Sequence, residues 1–325
     1  MKKNNQNIIN RWVKEGLTID PYYIVGLTDA EATFTISISK DNRVRKTTRG
    51  SIDVIKREIY SVQTSFAISL NVKDSKLIYS LQSFFGVGNV KQDLSNNAIT
   101  YYVNSASDLL KVIIPFFDHY PLITQKRADF ILFKSAVKLI TAGVHLTHEG
   151  LIKIVSIKAS MNKGLSEKLI TNFPGIVPAD RPLVSLEDES IKDNNWLTGF
   201  VDGEGSFYVR IMEATTAKSV NRVSFFFSIS QAIREKVLLS QVSKYLDCGT
   251  ISGNAKYIQF RVTKLGDIES KIIPFFKKYP MHGIKNLNFE DFCTIFDLVQ
   301  TKAHLTSEGL DKIKKINGGM NLRRE

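Results

Sequence analysis

Apolar and polar positions along this chain change period twice in the same way. From Tyr22 to Ala30 the residues are mostly apolar, with small side chains at Gly26 and Ala30, four apart and therefore on one face of a helix. The period then drops to two. Phe34, Ile36 and Ile38 alternate with Thr33, Thr35, Ser37 and Ser39, which predicts a strand with one apolar and one polar face. Gly199 and Gly203 repeat the helical spacing, after which Phe207, Val209 and Ile211 alternate with Ser206, Tyr208 and Arg210. A second strand in that region sets Val223, Phe225, Phe227 and Ile229 against Arg222, Ser224, Ser228 and Ser230. A later one sets Ile258, Phe260 and Val262 against Tyr257, Gln259, Arg261 and Thr263. In the first region the matching polar positions are Ser61, Gln63 and Ser65, then Thr100 and Tyr102. Helices are predicted around Asp74–Phe85, Asp108–Phe117 and Arg127–Ile140 and at their counterparts. Each region reads as helix, two strands, helix, one or two strands, then helices, an α+β unit of antiparallel strands with one sheet face uncovered.

The two regions are copies. The phrase from Ile24 to Phe34 returns from Leu197 to Phe207, each an apolar run with small residues inside it that closes on a carboxylate. Phe66-Ala67-Ile68-Ser69 matches Phe227-Ser228-Ile229-Ser230, and Ile113-Ile114-Pro115-Phe116-Phe117 matches Ile272-Ile273-Pro274-Phe275-Phe276. His145-Leu146-Thr147 recurs as His304-Leu305-Thr306, and Met161-Asn162 as Met320-Asn321. A period this long indicates a duplicated domain rather than a solenoid of short units. The expected organisation is an N-terminal extension over 1–21, a first repeat over 22–164, a linker over 165–194 with Pro174, Pro178, Pro182 and the acidic run Glu187-Asp188-Glu189, and a second repeat over 195–325.

Composition allows each half its own core: 325 residues, 43% hydrophobic and 23% charged. The excess of 44 Lys and Arg over 32 Asp and Glu gives a net charge of +12, which favours an anionic partner, nucleic acid or an acidic membrane surface. No apolar run is long enough for a membrane span, and no signal peptide opens the chain. Cys248 and Cys293 fall at no metal-ligand spacing. A polar sheet face is ordinarily just solvated. Two such faces in a basic, duplicated chain point instead to a ligand, since Arg and Gln bond guanine and adenine edges bidentately and a two-stranded ribbon fits the major groove of B-DNA.

The paired phrases, the duplicated α-β-β-α-β-β-α order and the polar sheets resemble the LAGLIDADG homing endonucleases, specifically the single-chain type of fungal organelle introns. Tyr120-Pro121-Leu122 and Gln125-Lys126 add to the match, which covers roughly 22–164 and 195–323. The resemblance implies a pseudo-symmetric αββαββα duplication whose two antiparallel sheets form a DNA-binding saddle, with the motif helices packed at the pseudo-dyad. It further implies a monomer that hydrolyses double-stranded DNA at a long pseudo-palindromic site, with Mg²⁺ as cofactor and Mn²⁺ or Ca²⁺ as binding substitutes, promoting intron mobility in a mitochondrion. Matched residue by residue, the acidic metal ligands are Glu31 and Glu204, with Ala32 and Gly205 beside them, and the lysines of the active centre are Lys126 and Lys285. The DNA-reading set comprises the polar strand positions above together with Arg43 and Arg45. An intron RNA maturase on the same fold, which would bind intron RNA, and a non-catalytic DNA-binding protein are the alternatives.

Elementary electrostatics agrees with the two glutamates. An acidic side chain at a helix C-terminus faces the negative end of the helix dipole, at a cost of roughly 0.3–1 kcal/mol, so a cation is the natural counter-charge. Asp29 and Asp202, two residues earlier and off that helical face, suit a structural hydrogen-bonding role. Gly205 suits a left-handed helix end whereas Ala32 would be strained there, which predicts that the two motif helices end differently. Thr147 and Thr306 read as helix N-caps, and Phe85-Gly86-Val87-Gly88 as a turn before a strand.

Overall fold

The first motif phrase is helical because its start is capped and pre-set. In the computed structural model, which describes residues 19–41, 59–184, 191–212 and 221–321, helix α1 spans Pro21–Glu31. The Asp20 carboxylate accepts the Tyr22 N–H at 2.8 Å, and Pro21 occupies the first turn, where no donor is needed. Strands β1 (Ala32–Asp41) and β2 (Ile59–Asn71) follow, then α2 (Ser75–Phe85), β3 (Asn89–Asp93) and β4 (Ala98–Val103). The half closes with α3 (Ile114–His119), α4 (Lys126–Thr141) and α5 (His148–Ala159). A short α6 (Glu167–Asn172) lies between the halves. The second copy repeats the order as α7 (Asn194–Glu204), β5 (Gly205–Met212), β6 (Arg222–Ala232), α8 (Lys236–Leu246), β7 (Thr250–Gly253), β8 (Tyr257–Val262), α9 (Ile273–Lys278), α10 (Lys285–Gln300) and α11 (Ser307–Gly318).

Each sheet is antiparallel and four-stranded, in the orders β1-β2-β4-β3 and β5-β6-β8-β7. The apolar strand positions bury against the helices around a phenylalanine cluster that is itself duplicated. Phe34 packs 5.2 Å from Phe66 on the paired strand and 5.7, 5.4 and 5.2 Å from Phe117, Phe130 and Phe133. Phe207 packs 5.0 Å from Phe227 and 5.4, 5.1 and 5.5 Å from Phe276, Phe289 and Phe292. Burial of such a ring contributes about 1.5–3 kcal/mol, so these side chains hold each sheet on its helices and leave the opposite face uncovered.

The expected caps form: Thr147 accepts the Gly150 N–H at 3.0 Å, and Thr306 that of Gly309 at 3.1 Å. Gly86 and Gly88, at φ 65° and 85°, make the turn before β3. Two expectations are corrected. The motif helices end alike, since Ala32 (φ −78°, ψ 159°) and Gly205 (φ −79°, ψ 159°) are both extended and already belong to the next strand. The absent Cβ at 205 is a matter of space: one there would lie 2.5 Å from Val201 Cγ1. Thr263 falls just outside β8. Just ahead of Tyr22, Ile19 is buried and Asp20 caps α1. The linker is anchored. Phe173 packs 4.8 Å from Tyr60, and Arg181 holds both Asp129 oxygens at 2.7 and 3.1 Å and the Ser160 carbonyl at 2.8 Å. The acidic run at 187–189, and Arg43 and Arg45, lie outside the described residues. Among the described residues no helix is long and apolar enough to cross a membrane.

Candidate active site and nucleic-acid interface

The motif helices α1 and α7 meet backbone to backbone. A Cβ on Gly26 would stand 1.9 Å from the Trp196 carbonyl oxygen, and one on Gly199 would stand 2.0 Å from that of Tyr23. Any side chain at either position would push the helices apart. Toward their C-terminal ends a Cβ on Gly203 would be 2.4 Å from Ala30 Cβ and 3.0 Å from Glu31 Cγ, so Glu31 lies over the opposite motif helix. The close approach therefore brings Glu31 and Glu204 together at the dyad.

Asp29 and Asp202 are the struts beneath. Asp29 is buried and accepts from the Ile123 and Thr124 N–H groups at 3.1 and 3.3 Å, from Thr124 Oγ1 at 2.6 Å and from Trp196 Nε1 at 2.9 Å. Asp202 accepts from the His282 and Gly283 N–H groups at 3.0 and 2.7 Å and from the Tyr23 hydroxyl. Tyr23 and Trp196 occupy equivalent places in the two helices, so each half sends an aromatic donor to the other half's aspartate. Burial pushes the Asp29 carboxyl above its ordinary value despite these bonds, and it pushes the Tyr23 phenol well up.

Lys126 and Lys285 open α4 and α10 and turn back onto the ends of the motif helices. Lys126 Nζ donates to the Thr28 and Ala30 carbonyls at 2.8 and 3.2 Å; Lys285 Nζ donates to the equivalent Val201 and Gly203 carbonyls at 3.0 and 2.7 Å. Each ammonium thus satisfies a carbonyl that the helix end leaves open, Ala30 or Gly203, and adds a second donor to Thr28 or Val201, which already accepts the Ala32 or Gly205 N–H. Burial holds both lysines below their ordinary value, while carboxylates work the other way: Asp29, Glu31 and Glu204 for Lys126, and Asp202, Glu31 and Glu204 for Lys285. Glu31 is raised by burial first and by repulsion from Glu204 second, with Lys285 and Lys126 opposing. A cleft of about 430 Å³ is lined by Glu31, Asp74, Asp202 and Lys285, and another of about 600 Å³ by Asp29, Lys126, Glu204 and Glu235. Each cleft therefore takes its motif glutamate from one copy and its lysine from the other. The division is not strict in charge, because Lys126 couples to Glu31 ahead of Glu204.

Apart from Thr263, and from Arg43 and Arg45 outside the described residues, the predicted interface residues share the uncovered sheet faces. On β1 and β2, Thr33, Thr35, Ser37 and Ser39 stand opposite Ala67, Ser65, Gln63 and Ser61. Thr100 and Tyr102 extend that face onto β4, where Thr100 bonds Ser69 at 2.8 Å. In the second half Ser206, Tyr208 and Arg210 stand opposite Ser228, Phe226 and Ser224, and Arg222 lies opposite Met212. Gln259 donates to Ser230 at 2.9 Å and accepts from Arg261, so this face is hydrogen-bonded within itself. Sequence reasoning missed Ser69, Lys91 and Thr250, which lie opposite or beside the predicted positions, and Phe226, whose ring sits 5.8 Å from Tyr208. Parity alone marks Phe226, but an aromatic residue interrupts the polar pattern of that face.

The family model for LAGLIDADG endonucleases matches residues 24–137 and 197–296, one block per copy. The chain belongs to this family. Among its LAGLIDADG relatives is the probable intron-encoded endonuclease 3 of Neurospora crassa, 38% identical over 93% of this chain. The chain spans 54% of that relative's length. The LAGLIDADG homing endonuclease I-SmaMI bound to cleaved DNA has a TM-score of 0.86 to this structure, with 38% identity, 95% of this chain and 99% of that one covered. I-SmaMI bound to uncleaved DNA target in the presence of calcium ions aligns with a TM-score of 0.84 and the same identity, over 94% of this chain and 99% of that one. The donors at the LAGLIDADG dyad fit a hard divalent cation. Glu31 and Glu204 are half-buried, mutually repelling carboxylates, and neither accepts a hydrogen bond from a described residue. Among the described residues no cluster of three metal-ligating side chains exists. One or two carboxylates completed by backbone carbonyls, water and phosphate is the arrangement Mg²⁺ favours.

Proposed function

We propose that this chain is a site-specific, divalent-metal-dependent endonuclease that cuts both strands of a long pseudo-palindromic DNA site, acts as a monomer and promotes the mobility of a mitochondrial intron. The observation that carries the reading is the placement of Glu31 and Glu204 at the adjoining ends of two helices packed through Gly26 and Gly199, between two uncovered polar sheets. In this reading the sheets take the DNA duplex, Arg210, Arg222, Arg261, Gln63 and Gln259 supply base-edge or phosphate contacts, and the hydroxyls of the serine and threonine rows hold the backbone in register. Glu31 and Glu204 would hold Mg²⁺, with the backbone of Ala32 and Gly205 beside them. Bound there, the ion supplies an activated water and charge neutralisation at the scissile phosphate. Lys126 and Lys285 each spend two of three ammonium N–H groups on helix-end carbonyls, and the third is available to phosphate charge that grows as the bond breaks. The RNA alternative finds no support in the solved relatives named above, which are bound to DNA.

Selection of cleaved sites from a randomised duplex library with Mg²⁺, run beside a Glu31→Gln, Glu204→Gln double variant, tests the proposal. One long enriched site with defined ends for the parent, bound but uncut by the variant, is the expected result. Binding without cutting by both proteins would overturn it.

A further inference from the structure

Asp74 and Glu235 occupy equivalent places, at the N-cap positions of α2 and α8, yet neither side chain caps its own helix. Each reaches into the other half instead. Asp74 Oδ1 accepts the Ile284 N–H at 2.6 Å, across 210 residues of sequence, and the Glu235 carboxyl lines one cleft with Gln125 and Lys126 of the first copy. Ile284 and Gln125 immediately precede Lys285 and Lys126. In the second copy the turn ahead of the lysine therefore gives three consecutive N–H groups to carboxylates: His282 and Gly283 to Asp202 of its own half, and Ile284 to Asp74 of the other. In the first copy Ile123 and Thr124 are bonded to Asp29 in the same way, and Gln125 shares a cleft with Glu235. The turn is tight around both acids, since a Cβ on Gly283 would be 2.8 Å from Asp202 Oδ1 and 2.8 Å from Asp74 Oδ1. Glu235 is only 5% exposed, its one salt-bridge partner among the described residues is Arg234 at 3.5 Å, and its Oε2 has no hydrogen-bond partner among them. A buried carboxylate is costly unless it does something specific with its charge.

We propose that Asp74 and Glu235 are positioning residues that reach across the pseudo-dyad and fix the turn carrying the opposite half's lysine. Such a latch makes each cleft dependent on the docking of the two halves: Lys285 beside Glu31 is held by Asp74, and Lys126 beside Glu204 is held by Glu235. For its catalytic consequence the inference rests on the endonuclease reading above.

The test pairs hydrogen exchange with strand-resolved cleavage of the selected duplex, each strand end-labelled, in Asp74→Ala and Glu235→Ala. Exchange over 282–286 is expected to rise in Asp74→Ala while 123–127 keeps the parent's protection, and Glu235→Ala is expected to show the reverse. Cleavage of one strand falls roughly 10–100-fold in Asp74→Ala and of the opposite strand in Glu235→Ala, the effect of losing one hydrogen bond to a charged group. Asp74→Asn and Glu235→Gln keep an acceptor oxygen and are expected to restore both readouts toward the parent. Unchanged exchange in both segments, a joint change in both, or equal slowing of both strands in either alanine variant overturns the latch. Should the parent cut neither strand, the endonuclease reading fails, and the exchange pattern still decides whether the latch exists.

Discussion

Glu31 costs the metal-free protein stability, and the sign can be worked out. Its folded carboxyl is raised above 4.5, by burial first and by Glu204 second, so folding favours the neutral form. The penalty is absent below the unfolded value and grows as pH rises from there through the raised folded value. Lys285 opposes this only as the third contribution, so loss of that attraction does not reverse the sign. Glu31→Gln is therefore expected to melt a few degrees above the parent near neutral pH without divalent ions, with the gap closing at about pH 4. Scanning calorimetry at the two pH values decides it, and a variant no more stable than the parent at neutral pH refutes the assignment of Glu31 as a strained, cation-seeking group. The same residue shows what is legible at this scale. Its position at the end of an apolar phrase marks it in the sequence, whereas its placement over Gly203 of the other copy does not follow from any local pattern.

Elements were legible where a period repeats over several residues and obscure where one residue sets the geometry. Alternation predicts β1, β5, β6 and β8, and the caps Thr147 and Thr306 locate the starts of α5 and α11. Missed were the π-turns at Leu109–Ile113 and Ile268–Ile272, which lead into α3 and α9. Pro115 and Pro274 lie just beyond them; a proline supplies no N–H to the preceding turn and crowds its carbonyl, and a widened turn relieves both. The glycine argument for the motif helices also changes at this scale: Gly26 and Gly199 matter for helix contact, while Gly205 does not set a left-handed end. Gly199→Ala places a methyl 2.0 Å from a backbone oxygen that cannot swing aside, so a loss of at least about 1–3 kcal/mol in urea unfolding is expected. Thr147→Ala, which removes one cap far from the dyad, should cost about 1 kcal/mol. Equal effects from the two substitutions would refute close packing of the motif helices.

For the whole molecule, the net charge of +12 and the two polar sheets describe a surface suited to a polyanion. DNA binding should weaken linearly in log–log terms as salt rises, with a slope of several units, close to one per phosphate contacted. Titration of a selected duplex at increasing KCl gives that slope, and a flat response would rule out the sheets as a phosphate-lined groove. The linker belongs to this scale too. Its prolines and acidic run suggest a passive crossing, yet Arg181 and Phe173 fasten it to the first half, because anchoring depends on which surface lies beneath, not on the linker's composition.

The sequence by itself determined the duplication, the α+β class, the apolar and polar faces of the strands and the positions of Glu31 and Glu204. Those features are encoded locally, by the spacing at which side chains recur along a helix or strand, or by similarity between the two copies. Only the tertiary structure decided that each cleft is shared between copies, that Lys126 and Lys285 hold helix-end carbonyls, and that Asp29, Asp202 and Asp74 bind amides and aromatic donors far away in the chain. These contacts join residues about 80 to 210 positions apart, and those that cross between the copies follow from two helices packing through bare glycine backbone. Periodicity states which face of a helix is buried. It does not state what that face will meet.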